Sequence, residues 1–134
     1  MVSKGILVEA NREEYVFPME SVMQTVRLPR TRIRQHEKSY FTTFRNKVFP
    51  VLRLADHFAV NRRFVEIAWP EEVPMAIVET NRGRVAVAVD RFPGHVAVIV
   101  KPMGSDFANI TAFQGATIMG DGRVALVINP AGFV

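Results

Sequence analysis

The side chains best able to do chemistry in this chain are scattered. His36, His57 and His95 lie far apart, and none falls in a spacing such as His-x-x-x-His that would set two imidazoles on one metal ion. Cysteine is absent, which excludes disulfides, thiolate metal sites and a cysteine nucleophile. Asp90, Asp106 and Asp121 follow strand-like runs or turns, where aspartate commonly serves conformation. Ser3, Ser21, Ser39 and Ser105 lack the glycine-framed elbow that presents a serine nucleophile. The glycines around Gly120 precede an apolar run rather than a helix, so they do not form a phosphate-cradling loop. These residues predict no catalytic group, no metal site and no cofactor.

What remains is binding. Arg27-Leu28-Pro29-Arg30-Thr31-Arg32-Ile33-Arg34 holds four arginines in eight residues. It reads either as an anion-binding patch or as a strand edge whose charges discourage sheet-to-sheet association. No aromatic residues interleave with the arginines, as a groove for single-stranded nucleic acid would want. The edge reading is therefore preferred, and no nucleic acid is expected as a partner. A small basic barrel that binds nucleic acid with salt-dependent affinity stands as the alternative.

The elements that would carry these residues are short strands. Ile6–Ala10 and Tyr15–Phe17 flank a turn, and Pro18 ends the second run by removing a ladder donor. Glu20–Gln24 predicts a helical turn. Tyr40–Phe44 and Val48–Leu52 flank Arg45-Asn46-Lys47, where Asn46 accepts a left-handed conformation. Pro50 predicts an edge or a bulge, and Leu54–Phe58 a helical turn leaving the sheet. The segment from Ala59 to Pro74 reads as an exposed connection; its Trp69 fits a contact residue and a core plug equally well.

In the second half, Met75–Glu79 and Arg84–Asp90 flank Asn81-Arg82-Gly83. Pro93-Gly94 marks a turn before the strand His95–Val100, and Ser105 to Gln114 reads as loop with a helical turn. Gly120-Asp121-Gly122 joins two apolar runs into a hairpin with two largely buried arms. No segment shows long helical periodicity. The pattern predicts an all-β fold of two small five-stranded barrels packed on a shared apolar seam.

The chain has 134 residues, 49% apolar and 22% charged, with a net charge of +4. That is an ordinary globular composition, and the mild basic surplus favours acidic partners without naming one. No apolar run is long enough to span a bilayer as a helix. A cytoplasmic domain is expected, with no direct membrane insertion. A strand beginning directly after Met1 suggests a domain of a longer protein.

Several strings, in order, resemble the CheW-like regulatory domain of CheA chemotaxis histidine kinases. Gly5 to Pro18 is similar to the family's opening hairpin, with Tyr15 and Pro18 at its tyrosine and proline, and Val26-Arg27-Leu28-Pro29 to the stretch that follows. Arg45-Asn46-Lys47-Val48-Phe49-Pro50-Val51-Leu52-Arg53-Leu54 resembles the family's Arg-Gly-x-Val-x-Pro-Val-x-x-Leu segment. Val89-Asp90-Arg91 resembles a strand end in the second barrel. Val100–Gly104 and Gly115–Asn129 resemble CheA in particular, rather than free CheW. Asn46 departs from the usual glycine, and Asn129 from the usual aspartate.

The resemblance implies two intertwined SH3-like barrels forming one domain over residues 1–134. The first would take about residues 5–58, with the C-terminal residues free to return to it, and the second about 64–129. It implies a non-catalytic scaffold that couples chemoreceptors and CheW to the CheA kinase core. Its partners would be a CheW adaptor, the cytoplasmic tip of chemoreceptors and the kinase domain of the same chain, at receptor arrays beneath the inner membrane. A free-standing CheW-like adaptor is the near alternative. Carried over by position, Met19, Val22 and Arg45 match the receptor-facing groove of the first barrel, and Ala86 and Phe92 that of the second. Val22, Ala86 and Phe92 equally suit a core, and Arg45 suits it least.

Overall fold

A computed structural model describes residues 2–57, 66–99 and 113–132. The expected features around Asn61–Arg63, the strings from Val100 to Gly104 and the loop carrying Ser105 and Asp106 lie outside these residues. Among the described residues almost every element is a strand, and no helix is long and apolar enough to cross a membrane.

The first hairpin joins β1 (Val2–Ala10) to β2 (Glu13–Pro18), in register from Gly5 opposite Pro18 to Ala10 opposite Glu13. Its turn residues, Asn11 and Arg12, both have positive φ, which matches the right-handed twist of the flanking strands. A 3-10 turn at Met19–Ser21 then leads into β3 (Val22–Pro29). The helical turn expected at Glu20–Gln24 is thus shorter and earlier. Ser21 Oγ donates to the Pro18 carbonyl at 2.6 Å and closes it, and β-branched Val22, Thr25 and Val26 favour the strand that follows.

The arginine-rich stretch is not one strand. β3 ends at Pro29, Arg30–Arg32 form a second 3-10 turn, and β4 (Ile33–His36) begins after it. β5 (Ser39–Phe44) and β6 (Lys47–Arg53) make the next hairpin, and α1 (Leu54–His57) is the single helical turn expected there. β7 (Glu72–Thr80), β8 (Gly83–Ala88), β9 (Arg91–Ile99), β10 (Phe113–Ile118) and β11 (Val124–Ile128) complete the fold.

The strands form two sheets, one of five in the order β10-β11-β2-β1-β9 and one of six in the order β3-β7-β8-β6-β5-β4. Each takes strands from both sides of residues 58–64, so the division of the chain in sequence order and the line between the sheets differ. The end of the chain returns to its beginning: Leu126 and Val127 run parallel beside Tyr15 and Val16.

Two prolines show how the ladders adapt. Pro50 sits in β6, an interior strand, but the parallel ladder to β8 begins only at Val51. At Pro50 the strand has β5 as its one paired neighbour, so its missing N–H costs no second ladder. The turn expected at Pro93-Gly94 is instead a bulge inside β9. Gly94 pairs with Leu7 and Arg91 with Glu9, which leaves one extra residue on β9 to absorb the proline.

Three apolar clusters hold the sheets. Ile6, Val8, Ala10, Phe17 and Ile128 of the five-stranded sheet meet Ala76, Val78, Val85 and Val87 of the six-stranded sheet, together with Leu54. This is the apolar seam. Alternate residues face away from it. Leu7, Val16, Ala125 and Val127 fill the other side of the five-stranded sheet. Met75, Ile77, Ala86 and Ala88, with Leu28, Phe49, Val51 and Val73, fill the interior of the six-stranded sheet. A strand buried on both faces reads as an unbroken apolar run, which is why β7 and β8 show no polar alternation. The β10–β11 hairpin is buried along one face up to the Thr117–Ala125 pair, while Ile118 and Val124, opposite each other at the tip, are 58% and 61% exposed.

Candidate functional site

The six-stranded sheet gathers several predicted site residues at one end. β3 starts opposite the end of β7, with Val22 beside Val78, and β7 turns into β8 at Thr80–Gly83. β8 and β6 run parallel, Val51 beside Ala86, so the β5–β6 turn lies at the same end as the β7–β8 turn. Met19, Val22 and Arg45 therefore share an end. Three strand spacings separate β3 from β6 in the sheet order, roughly 15 Å.

Each of the three is held differently. Met19 and Val22 are half-buried and pack on the rim of the seam. Arg45 is exposed in the tight turn, with φ of 50° beside 64° for Asn46. Asparagine thus meets the left-handed requirement that glycine usually fills there. Arg45 lies 5.2 Å from the centroid of the Phe44 ring and has no carboxylate partner among the described residues. A guanidinium on an aromatic face keeps its donors toward solvent and free for a partner.

Ala86 and Phe92 do not join them. Ala86 is fully buried in the interior of the six-stranded sheet, so it offers no surface to a partner. Phe92 packs half-buried on the seam beyond the far end of β8, next to Arg91, which pairs with Glu9 of β1. Trp69, left open between contact and plug, packs on the six-stranded interior with its ring edge-on to Tyr40 at 5.4 Å.

Two residues that sequence reasoning missed belong to this end. Met23 is 50% exposed. Val22 pairs with Val78 and Gln24 with Ile77, so Met23 is the extra residue of a bulge on an edge strand. Bulges re-aim side chains, and nothing in the local sequence announces one. Val48 is 68% exposed, beside the Arg45 turn, while Phe49 and Val51 are buried. Period-two counting back from buried Phe49 would have found it, but the run Val48–Leu52 hides its phase. A flexible methionine and an exposed valine flanked by a free cation can grip a partner's apolar side chain and a carboxylate together.

Between the sheets at this end lies an open cleft of about 330 Å³. Pro18, Glu20 and Ser21 form one wall, Glu79–Asn81 another, and Gln114 with Asn129–Ala131 the third. Asn129, where the resembling family usually has aspartate, thus contributes an uncharged amide to this wall.

The other chemistry-bearing residues serve the fold. Asp121 accepts from the Arg123 backbone N–H at 3.1 Å and from Arg123 Nε at 2.5 Å, and Arg123 Nη1 also pairs with Glu14 of β2. Asp90 accepts from the Asn11 N–H at 2.8 Å. Arg53 pairs with Asp56 through two bonds of 2.5 and 2.7 Å, and this hydrogen bonding raises its pKa above the ordinary arginine value. Among the described residues no group of three or more His, Asp or Glu side chains is arranged to hold a metal ion.

Residues 4–134 match the sequence profile of the CheW-like domain. The chain belongs to the CheW-like domain family. Among curated relatives it is 30% identical over 124 residues to the chemotaxis protein CheA of Bacillus subtilis, covering 92% of this chain and 18% of that protein. It is 31% identical over 130 residues to CheA of Borreliella burgdorferi, covering 96% and 15%. It is 27% identical to the sensor histidine kinase CheAY of Helicobacter pylori, covering 96% and 16%. The chain thus spans under a fifth of the length of these relatives. In fold, this CheW-like domain is similar to the crystal structure of the scaffolding protein TtCheW from Thermoanaerobacter tengcongensis. The TM-score is 0.72 at 16% identity, over 98% of this chain and 91% of that one.

Proposed function

We propose that this CheW-like domain is the non-catalytic regulatory domain of a CheA-type histidine kinase. It couples chemoreceptors and a CheW adaptor to the kinase core by protein–protein binding. The observation that carries this reading is the match across residues 4–134, with relatives named CheA at 30% and 31% identity. The phosphotransfer chemistry belongs to other parts of such a protein. The partners are CheW, the cytoplasmic tips of chemoreceptors and the kinase domain of the same chain, all in the cytoplasm. Exposed Met23, Val48 and Arg45 support a protein-binding end on the six-stranded sheet, with Met19 and Val22 as its half-buried base. Ala86 contributes packing, and Phe92 sits apart.

The test is titration of the domain with a CheW protein from the same organism, followed by a receptor-tip fragment, wild type beside Arg45→Ala. Saturable CheW binding is expected, with receptor affinity reduced about tenfold in the variant, the loss of one good interfacial charge contact. A wild-type domain that ignores CheW and receptor but retains an oligonucleotide in a salt-sensitive way would overturn the reading.

A further inference from the structure

Edge protection explains only two of the four arginines from Arg27 to Arg34. β3 and β4 are the two outer strands of the six-stranded sheet, so Arg27 and Arg34 are placed to keep other chains from pairing there. Arg30 and Arg32 lie in the 3-10 turn between them and guard no edge. All four are exposed, and none pairs with a carboxylate among the described residues. Arg53, Arg91 and Arg123, by contrast, each sit within hydrogen-bonding distance of an acid.

The turn is also held in place. The Arg30 N–H donates to the Glu71 carbonyl at 2.9 Å, and buried Thr42 donates to the Arg32 carbonyl at 3.0 Å. Arg30 Nη1 donates to the Trp69 carbonyl at 3.3 Å and Arg32 Nη1 to the Thr43 carbonyl at 3.4 Å. Each of these two guanidiniums is anchored by one N–H. The remaining donors of its planar fork are free to meet a carboxylate in bidentate geometry. Anchoring lowers the entropy lost when a partner binds.

We propose that the β3–β4 turn, with Arg30 and Arg32 at its centre and Arg27 and Arg34 on its flanks, is a docking surface for an acidic segment of a partner protein. Carboxylates fit better than nucleic acid because the nearby rings are not free to stack: Tyr40 and Trp69 pack edge to face on the interior. Glu72, opposite Pro29, and Glu71 bound the surface on one side. Through Arg32, which bonds the Thr43 carbonyl two residues before Arg45, this surface adjoins the Arg45 turn, and the proposal does not depend on the scaffold role.

The experiment measures binding of a fluorescein-labelled, glutamate-rich peptide by anisotropy at low and physiological salt. Wild type is compared with Arg30→Glu/Arg32→Glu and with Lys4→Glu/Arg12→Glu, which makes the same change in net charge elsewhere. An oligothymidylate of matching charge is run in parallel. The turn variant is expected to lose about tenfold more affinity than the matched variant, with a shallower salt dependence. Arg30→Gln/Arg32→Gln, with circular dichroism to check folding, serves if charge reversal disturbs the turn. Equal losses in both pairs, no peptide binding by wild type, or tighter binding of the oligothymidylate would each overturn the proposal.

Discussion

The two sheets use their cations differently. In the five-stranded sheet, Arg91 pairs with Glu9 at 3.1 Å, and Arg123 ties the β10–β11 tip to Glu14 on β2. In the six-stranded sheet, Arg53 pairs with Asp56 and Arg84 comes within 4.0 Å of Glu79, but Arg27, Arg30, Arg32, Arg34 and Arg45 reach no carboxylate among the described residues. The hairpin tips make the contrast sharp, since both turn tightly and both carry an arginine. Arg123 answers Glu14, whose side chain is only 11% exposed and would otherwise be left nearly buried and unpaired. Arg45 faces no such demand. A cation near a hairpin tip is part of the fold when a neighbouring strand buries an acid beneath it, and available to a partner when none does.

The largest effect expected is at Gly5, on the tightly built side. A Cβ there would lie 2.3 Å from Val16 Cγ1, and Val16 is fully buried. Gly5→Ala is expected to destabilise the domain by about 1–3 kcal/mol in urea unfolding, as overpacked cores do. An unchanged midpoint would mean that this sheet is looser than its packing implies. Next comes Arg123→Ala, expected to cost about 1–2 kcal/mol because Glu14 loses its partner. Arg45→Ala should change stability by no more than about 0.5 kcal/mol, the worth of an exposed cation over a ring. Equal costs at the two arginines would erase the contrast between the tips.

The smallest effect is at alkaline pH. Tyr15 stacks on Phe113, ring centroids 6.4 Å apart, and joins β2 to β10. Burial, and then the charge of Glu13, raises its pKa above the ordinary value of 10.0. A raised folded pKa means that the contribution is complete below the unfolded value and lost as pH rises through the folded one. Stability should therefore fall above about pH 10, and Tyr15→Phe should flatten that fall in unfolding curves taken at neutral and strongly alkaline pH.

Much of this architecture was legible in the chain. Asn46 at the β5–β6 turn, Gly83 after Asn81-Arg82 and Gly122 after Asp121 all adopt positive φ where local chemistry asks for it. Leu54–His57 form the expected helical turn. Other features were not legible, because an apolar run buried on both faces carries no phase. The string around Ala86 does not say whether that residue lines a groove or an interior. The bulge at Met23 depends on how β3 meets β7, and that relation is not written in either strand.

Composition, turn residues and apolar run lengths alone determined that this chain makes many short strands with tight turns and has no cysteine chemistry. Those are local properties, set by backbone freedom and side-chain type within a few residues. The tertiary structure decided which strands share a sheet, that the chain's end returns to β2, and which arginines find acids. Those outcomes depend on contacts between residues far apart in sequence: Arg123 reaches Glu14, while Arg30 and Arg32 are fixed by the backbone carbonyls of Trp69 and Thr43 with their charges left uncovered.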